Sequence, residues 1–543
     1  MKKILGIILI LLITLNAYSQ MGEWTWMNGD STANSLGHYG TQGVFDSLNT
    51  PPGLYEACEW TDKQGNFWLF GGVGQNQGSC YSDLWEFNPS INQWAWIKGP
   101  GITDQTGIYG TQGIPSPTNN PGARGWGTPT WVDTSGNLWL FGGLGYNANN
   151  TYLGTMNDLW KYSISTNEWT WINGVDTFNN LGFYGIILVP SHSNHPPCRS
   201  ETNASWTDNT NCLWLFGGGY TGRYSDLWKY SISTNQWIWM KGPNTTNQLS
   251  IYGTKGGADS ANNPSGRWSY AKWKDRNDNL WLFGGAGNAG YNDMWQFNII
   301  TNNWTWMSGT NLNSDTVSIG TLCDPDTNNI SSFRYENRAC WTRDCDNFMT
   351  FGGLGQGGMY NDLWNYNVFS NEWTWMKGSI VRNPIGNYGS KTISDPNNIP
   401  VGRMGAVGWK DNEGNIWMFG GCNGSFNPIY NDLWKFVPDS SCAHISCSEV
   451  GIKELAGINV KINIYPNPNN GNFHINSLSE QGEKISIEIF NSIGQIIYNC
   501  NEISESPFFS KEISMRDYPF GIYVVKVNGI SHNNSWKVVI MNN

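Results

Sequence analysis

Leu138-Trp139-Leu140-Phe141-Gly142-Gly143, then Asp158-Leu159-Trp160-Lys161-Tyr162, then Glu168-Trp169-Thr170-Trp171-Ile172 is the stretch that decides the fold. The first segment is apolar at successive positions, so a strand made from it must be covered on both faces. In the last, Trp169 and Trp171 are two apart and share one face of an extended strand, with Thr170 on the other. The same order recurs along the chain. Phe-Gly-Gly begins at Phe70, Phe141, Phe216, Phe283, Phe351 and Phe419, at spacings of 71, 75, 67, 68 and 68 residues. Asp-Leu-Trp or a near variant follows at Asp83, Asp158, Asp226, Asp293, Asp362 and Asp432. A Trp-x-Trp comes next at Trp94, Trp169, Trp237, Trp304 and Trp373. Fixed order at a near-fixed period marks a repeat architecture, here of six units.

Each unit reads as four short strands. The first carries small residues and ends in tryptophan, as in Arg403-Met404-Gly405-Ala406-Val407-Gly408-Trp409. Turns of the form Asp-x-x-Gly-Asn, at Asp62–Asn66, Asp133–Asn137 and Asp411–Asn415, join it to the second strand. Four-stranded sheets stacked radially bury both faces of their middle strands, and broad indoles fill the gaps that widen away from the axis. All but Trp126, Trp268 and Trp536 of the 32 tryptophans fall on repeat positions. The pattern over about residues 23 to 437 resembles the kelch repeat, also found in the central domain of galactose oxidase. The resemblance implies an all-β, six-bladed propeller. Two departures stand out: units longer than the roughly 50 residues of kelch, and a fifth unit, Asp346–Phe351, without the second-strand tryptophan.

Glu23-Trp24-Thr25-Trp26-Met27 is a fourth strand with no preceding three, and Trp434-Lys435-Phe436 is a third strand with no fourth. The N-terminal strand is therefore expected to complete the sixth blade and close the ring. The extra length sits between one unit's fourth strand and the next unit's first. These connectors carry Tyr39-Gly40-Thr41, Tyr109-Gly110-Thr111, Tyr252-Gly253-Thr254 and Tyr388-Gly389-Ser390, and most end in a Pro/Gly/Arg cluster. By strand alternation they are expected to crowd one end of the disc, either as a binding face or as a structural collar.

Lys2 and Lys3, an apolar run from Ile4 to Leu15 and the exit Ala17-Tyr18-Ser19 predict a cleaved signal peptide over 1–19. The repeat domain then spans 20–438, a linker 439–459, and a small β-rich domain 460–543. Without Lys2 and Lys3 the chain has 29 basic and 42 acidic residues, a charge of −13. That balance, with no basic runs, argues against nucleic acid and anionic membranes as partners. Eleven cysteines in an exported chain permit disulfides, with Cys442–Cys447 and Cys198–Cys212 as expected short-range pairs, against a set of free buried thiols.

The C-terminal domain contains Ile464-Tyr465-Pro466-Asn467-Pro468, Gly471-Asn472-Phe473, the alternating strand Ile485–Phe490, Gly521-Ile522-Tyr523 and a final strand Trp536–Ile540. Short strands at this spacing predict an Ig-like β-sandwich. The ordered motifs resemble the type A C-terminal sorting domain of the type IX secretion system. The resemblance implies a Gram-negative cell, passage through the periplasm, contact with the secretion machinery, and delivery to the surface or the medium.

Galactose oxidase likeness implies copper held by histidine and tyrosine, yet the repeats hold only His38, His192 and His195. His192, His195 and Cys198 have ligand chemistry but share one irregular loop. The aspartates recur in all six units, which marks them as structural rather than as the paired carboxylates of a glycosidase. No catalytic residue, metal or cofactor is assigned. The reading is a non-catalytic extracellular binding protein for a glycan or a protein. Its rivals are an enzyme with its site on the loop-rich face and a structural matrix component. The candidate contacts are Trp126, Arg124, Trp268, Arg267 and His195, because an indole beside a guanidinium stacks on a ring and still offers directed donors.

Overall fold

The computed structural model describes residues 22–439 and 442, apart from 76–78, 150–151, 312–317, 344–345 and 425–426, and further on 463–465 and most of 471–540. The expected signal peptide and nearly all of the linker lie outside the described residues. Among those described, every element is a β-strand, and no helix is long and apolar enough to cross a membrane. The chain divides into two units between residues 445 and 446.

The first unit holds six antiparallel sheets. In sheet one, Cys58–Thr61, Phe67–Phe70, Leu84–Asn88 and Gln93–Lys98 lie in chain order. Sheets two to five repeat this order from first strands at Thr130–Val132, Ser205–Thr207, Ala271–Lys274 and Cys340–Thr342. Sheet six takes Val407–Lys410, Ile416–Phe419 and Leu433–Val437 from the end of the unit. Its fourth strand comes from the start: Glu23–Asn28 pairs antiparallel with Leu433–Val437, Trp24 opposite Phe436. First strands of consecutive sheets are neighbours, and Val407–Lys410 lies beside both Cys340–Thr342 and Cys58–Thr61.

The repeated motifs are the stitches between sheets. In every Phe-Gly-Gly the second glycine donates its N–H to a carbonyl of the following sheet's connector. Gly72 bonds Arg124 at 2.8 Å, Gly143 bonds Arg199 at 2.9 Å, and Gly421 of sheet six bonds Leu54, which leads into sheet one, at 2.8 Å. The first glycine must be glycine as well. Gly71 has φ +67°, and a Cβ there would stand 2.6 Å from the Arg124 carbonyl oxygen. Between consecutive sheets lie separate apolar clusters. Trp60, Trp68 and Phe70 meet Leu140, Trp160 and Trp169, and Phe67, Phe87 and Trp94 meet Trp409, Trp417 and Phe419.

The Asp-x-x-Gly-Asn turns are held by the second-strand indole. Trp68 Nε1 donates to Asp62 at 2.9 Å, Trp139 to Asp133 at 2.9 Å and Trp417 to Asp411 at 2.8 Å. In sheet five the corresponding turn runs from Arg343 to Asn347. There Arg343 replaces the acceptor and Met349 the donor, so both halves of the bond have gone together.

Each connector dips along the outer edge of the following sheet. Asp46 bridges Trp94, Ser116 bridges Trp169, Ser191 bridges Trp237 and Asp395 bridges Trp24. An edge strand's unpaired N–H and C=O groups attract any passing strand, and the dipping loop covers them. A buried asparagine pins each loop: Asn119 Nδ2 donates to the carbonyls of Ile114 and Trp169, at 3.2 and 3.1 Å. Asn398 does the same for Ile393 and Trp24.

The cysteine expectation is corrected. Cys442 is bonded to Cys323, 119 residues away, and Cys198 and Cys212 are both free. Cys447 lies outside the described residues. Sequence proximity misled here, because the dipping fifth connector carries Cys323 to the place where the chain leaves sheet six.

The second unit has one sheet of Asn463–Tyr465, Asn472–Leu478 and Phe508–Ser514, and another of Lys484–Phe490, Ile496–Ile503, Gly521–Asn528 and Asn533–Ile540. Alternate residues from both sheets, among them Phe473, Ile475, Ile487, Ile489, Ile513 and Val525, form one core.

Candidate functional site

Arg124 and Arg267, expected at a contact surface, have fully buried side chains. Arg124 makes two parallel bonds of 2.9 Å to Asp158, and Arg267 bonds Asp293 at 2.6 and 2.8 Å. The same carboxylates take a hydroxyl from the connector tyrosine and an indole N–H from the third strand. For Asp158 these come from Tyr109 and Trp160, both at 2.7 Å. Arg199, Asp226, Tyr184 and Trp228 repeat the set, as do Arg403, Asp432, Tyr388 and Trp434. Three motifs far apart in sequence thus meet at one desolvated ion pair. Such a pair has no donors left for a ligand, and losing one partner costs about 3–5 kcal/mol.

His195 is half-buried in the third connector. Its Nδ1 lies 3.0 Å from the Ser193 carbonyl oxygen and its Nε2 lies 3.2 Å from Asn180 Oδ1. Its backbone pairs with Phe183, as Asn120 pairs with Ile108 in the preceding connector, so it occupies an ordinary repeat position.

Trp126 and Trp268 are elsewhere, each at the point where a connector enters its first strand. Where each connector enters its first strand, one residue adopts a left-handed conformation: Glu56, Trp126, Glu201, Ser269, Glu336 and Gly405, with φ between 49° and 62°. Five backbone bonds join these six in an open circle that runs from Trp126 round to Glu56. Glu201 N–H donates to Trp126 O at 2.7 Å, Ser269 to Glu201 at 2.8 Å, Glu336 to Ser269 at 2.9 Å, Gly405 to Glu336 at 2.7 Å, and Glu56 to Gly405 at 2.9 Å. Trp126 belongs to the circle, while Trp268 and Tyr335 precede members of it. All three are half-buried, and the Arg223 guanidinium lies 5.2 Å from the Trp268 ring centroid.

Sequence reasoning passed over the three glutamates. Glu56, Glu201 and Glu336 stand at one repeat position in alternate sheets, two residues after the loop-end Arg199 and Arg334, or after Leu54 in sheet one. Their carboxylate oxygens lie within 4.8 Å of one another. The Ser269 hydroxyl donates to Glu201 at 2.7 Å, and the Tyr55 hydroxyl donates to Glu336. Burial, and then repulsion by Glu336, push the Glu201 carboxyl up to about 8; Glu56 is raised for the same reasons and by Glu201 as well.

Farther along the first strands is a cavity of about 300 Å³, lined by residues from all six sheets. Glu59 pairs with Arg338 at 2.9 Å, and Lys272 Nζ donates to Ser205 Oγ at 2.6 Å. Burial lowers the Lys272 ammonium and raises the Cys340 thiol to about 11. Of the indoles that wall the chamber, Trp60, Trp131, Trp206 and Trp273 spend their N–H groups on carbonyls of neighbouring sheets, as Trp131 Nε1 does on Trp214 at 2.9 Å, whereas Trp409 Nε1 is buried without a partner.

The other unit carries a different kind of information. Residues 463–541 match the family model of the secretion system C-terminal sorting domain. The chain is therefore a client of the type IX secretion machinery, delivered to the cell surface or beyond. The sorting domain supplies the address.

Proposed function

We propose that the first unit is a six-bladed kelch-type propeller closed by its N-terminal strand, serving outside the cell as a non-catalytic binding module for a glycan or protein. Closure is supported by the pairing of Glu23–Asn28 with Leu433–Val437 and by the Gly421 bond to Leu54. The observation that carries the binding reading is the aromatic mouth, where Trp126, Trp268 and Tyr335 stand half-buried around the glutamate circle. Flat aromatic faces beside carboxylates suit sugar rings, whose C–H faces stack while their hydroxyls donate. The loop-end arginines, by contrast, are consumed in buried pairs with Asp158, Asp226, Asp293, Asp362 and Asp432. The arginines drop out as contacts, and Trp126 and Trp268 remain.

The test is a glycan array and a surface pull-down with the mature chain, followed by Trp126→Ala and Trp268→Ala. Each variant is expected to weaken binding at least tenfold, the effect of losing about 1.4 kcal/mol of contact, while keeping its Tm. Normal binding by both variants would remove the aromatic mouth from the ligand site.

A further inference from the structure

Glu56 is only 1% exposed, and its buried carboxylate oxygens receive no hydrogen bond from any group other than the neighbouring Glu336 carboxyl. An isolated buried carboxylate is costly unless something positive or protic meets it. The donors nearby are spent on its neighbours: Ser269 on Glu201 and, at 3.3 Å, on Glu336, and Tyr55 on Glu336. The nearby cations are also taken. Arg338 pairs with Glu59, Lys272 bonds Ser205 and Lys274 pairs with Asp278, so none of these three forms an ion pair with Glu56, Glu201 or Glu336.

We infer that Glu56, Glu201 and Glu336 hold a divalent cation of the calcium class where the connectors enter the first strands. The donors are all hard oxygens, the chemistry of calcium and magnesium rather than of zinc or copper. Calcium accepts irregular oxygen geometry, whereas magnesium demands a near-ideal octahedron and keeps most of its water, so three carboxylates brought from separate sheets suit calcium better. The three ligand oxygens lie within 4.8 Å of one another, close enough to meet one ion. Glu201 and Glu336 are partly exposed, which leaves an entry path and room for water in the remaining coordination positions. Because the three ligands come from alternate sheets, the ion ties the first, third and fifth sheets together. It also rigidifies the circle to which Trp126 belongs.

The experiment uses the full mature chain, stripped with EDTA, titrated with calcium and separately with magnesium, and melted under each condition. Calcium is expected to bind one per chain, with a Kd on the order of 10⁻⁴ M, typical of extracellular calcium modules. It is expected to raise the Tm by about 3 °C or more at a hundredfold excess over Kd, with magnesium at least tenfold weaker. Glu201→Gln and Glu336→Gln keep shape and remove a repelling charge. In EDTA they should melt no lower than the parent, yet lose the calcium response and at least tenfold in affinity. Three results overturn the inference. The parent takes up no calcium at about 10 mM, far above that Kd; magnesium binds as tightly; or both variants bind calcium undiminished, which places the ion elsewhere.

Discussion

Asp83 is the informative exception among the repeated aspartates. Four of its counterparts each face an arginine in a bidentate pair, but Leu54 stands where sheet one would carry that arginine. Asp83 keeps only the Tyr39 hydroxyl at 2.8 Å and the Gly101 N–H at 2.7 Å, and burial lifts its carboxyl to about 6. An unfolded aspartate titrates near 4. The folded state therefore holds a proton that the unfolded state has released between about pH 4 and 6. Stability from this group is fully present below pH 4 and is lost as pH rises through 6, to the extent of about 2–3 kcal/mol. Asp83→Asn keeps both contacts, since the amide oxygen accepts from Gly101 and the amide N–H donates to Tyr39. The variant should show a flatter fall in urea midpoint from pH 4 to 7 than the parent. An unchanged slope would locate that pH dependence in other groups.

At the scale of the element, the strand Glu23–Asn28 does more than pair with an edge. Trp24 is fully buried, 5.4 Å from the Phe351 ring of sheet five, and its carbonyl receives the pinning bond from Asn398. Removing residues 21–29 exposes the length of Leu433–Val437, empties a tryptophan-sized site and frees the sixth connector. Truncating one buried tryptophan alone costs about 3–5 kcal/mol, so the deletion should lower the Tm by about 10 °C or more. A deletion variant melting with the parent would show that sheet six is complete without this strand.

At the scale of the whole molecule, the export address is carried by the second unit of the chain. Deleting residues 463–541 should leave the first unit folded, with an unchanged Tm, because its apolar clusters, its ion pairs and the Cys323–Cys442 bond all lie before the cut. It should also abolish the protein's appearance at the surface and in the medium, as read by immunoblot of fractionated cells. Normal amounts of the truncated chain outside the cell would contradict the role of the sorting domain.

The strands, their order and the orphan fourth strand were legible because each is a local pattern. Alternation, double glycine and a Trp-x-Trp pair need only neighbouring residues to be read, and the sorting motifs are equally compact. Even the weak fifth unit was visible in the missing tryptophan, although its partner Arg343 was not. What stayed hidden depended on contacts across sheets. The tyrosine, arginine and aspartate motifs looked like three features and are one buried ion-pair cluster, so two arginines chosen as contacts proved to be interior. Cys323 and Cys442 are far apart in sequence, and no spacing rule joins them. Glu56, Glu201 and Glu336 lie about 140 residues apart from one to the next. Each alone is an ordinary strand-entry residue. Only the arrangement of first strands around one chamber brings these carboxylates within 4.8 Å of one another, and that closeness is a property of the tertiary structure alone.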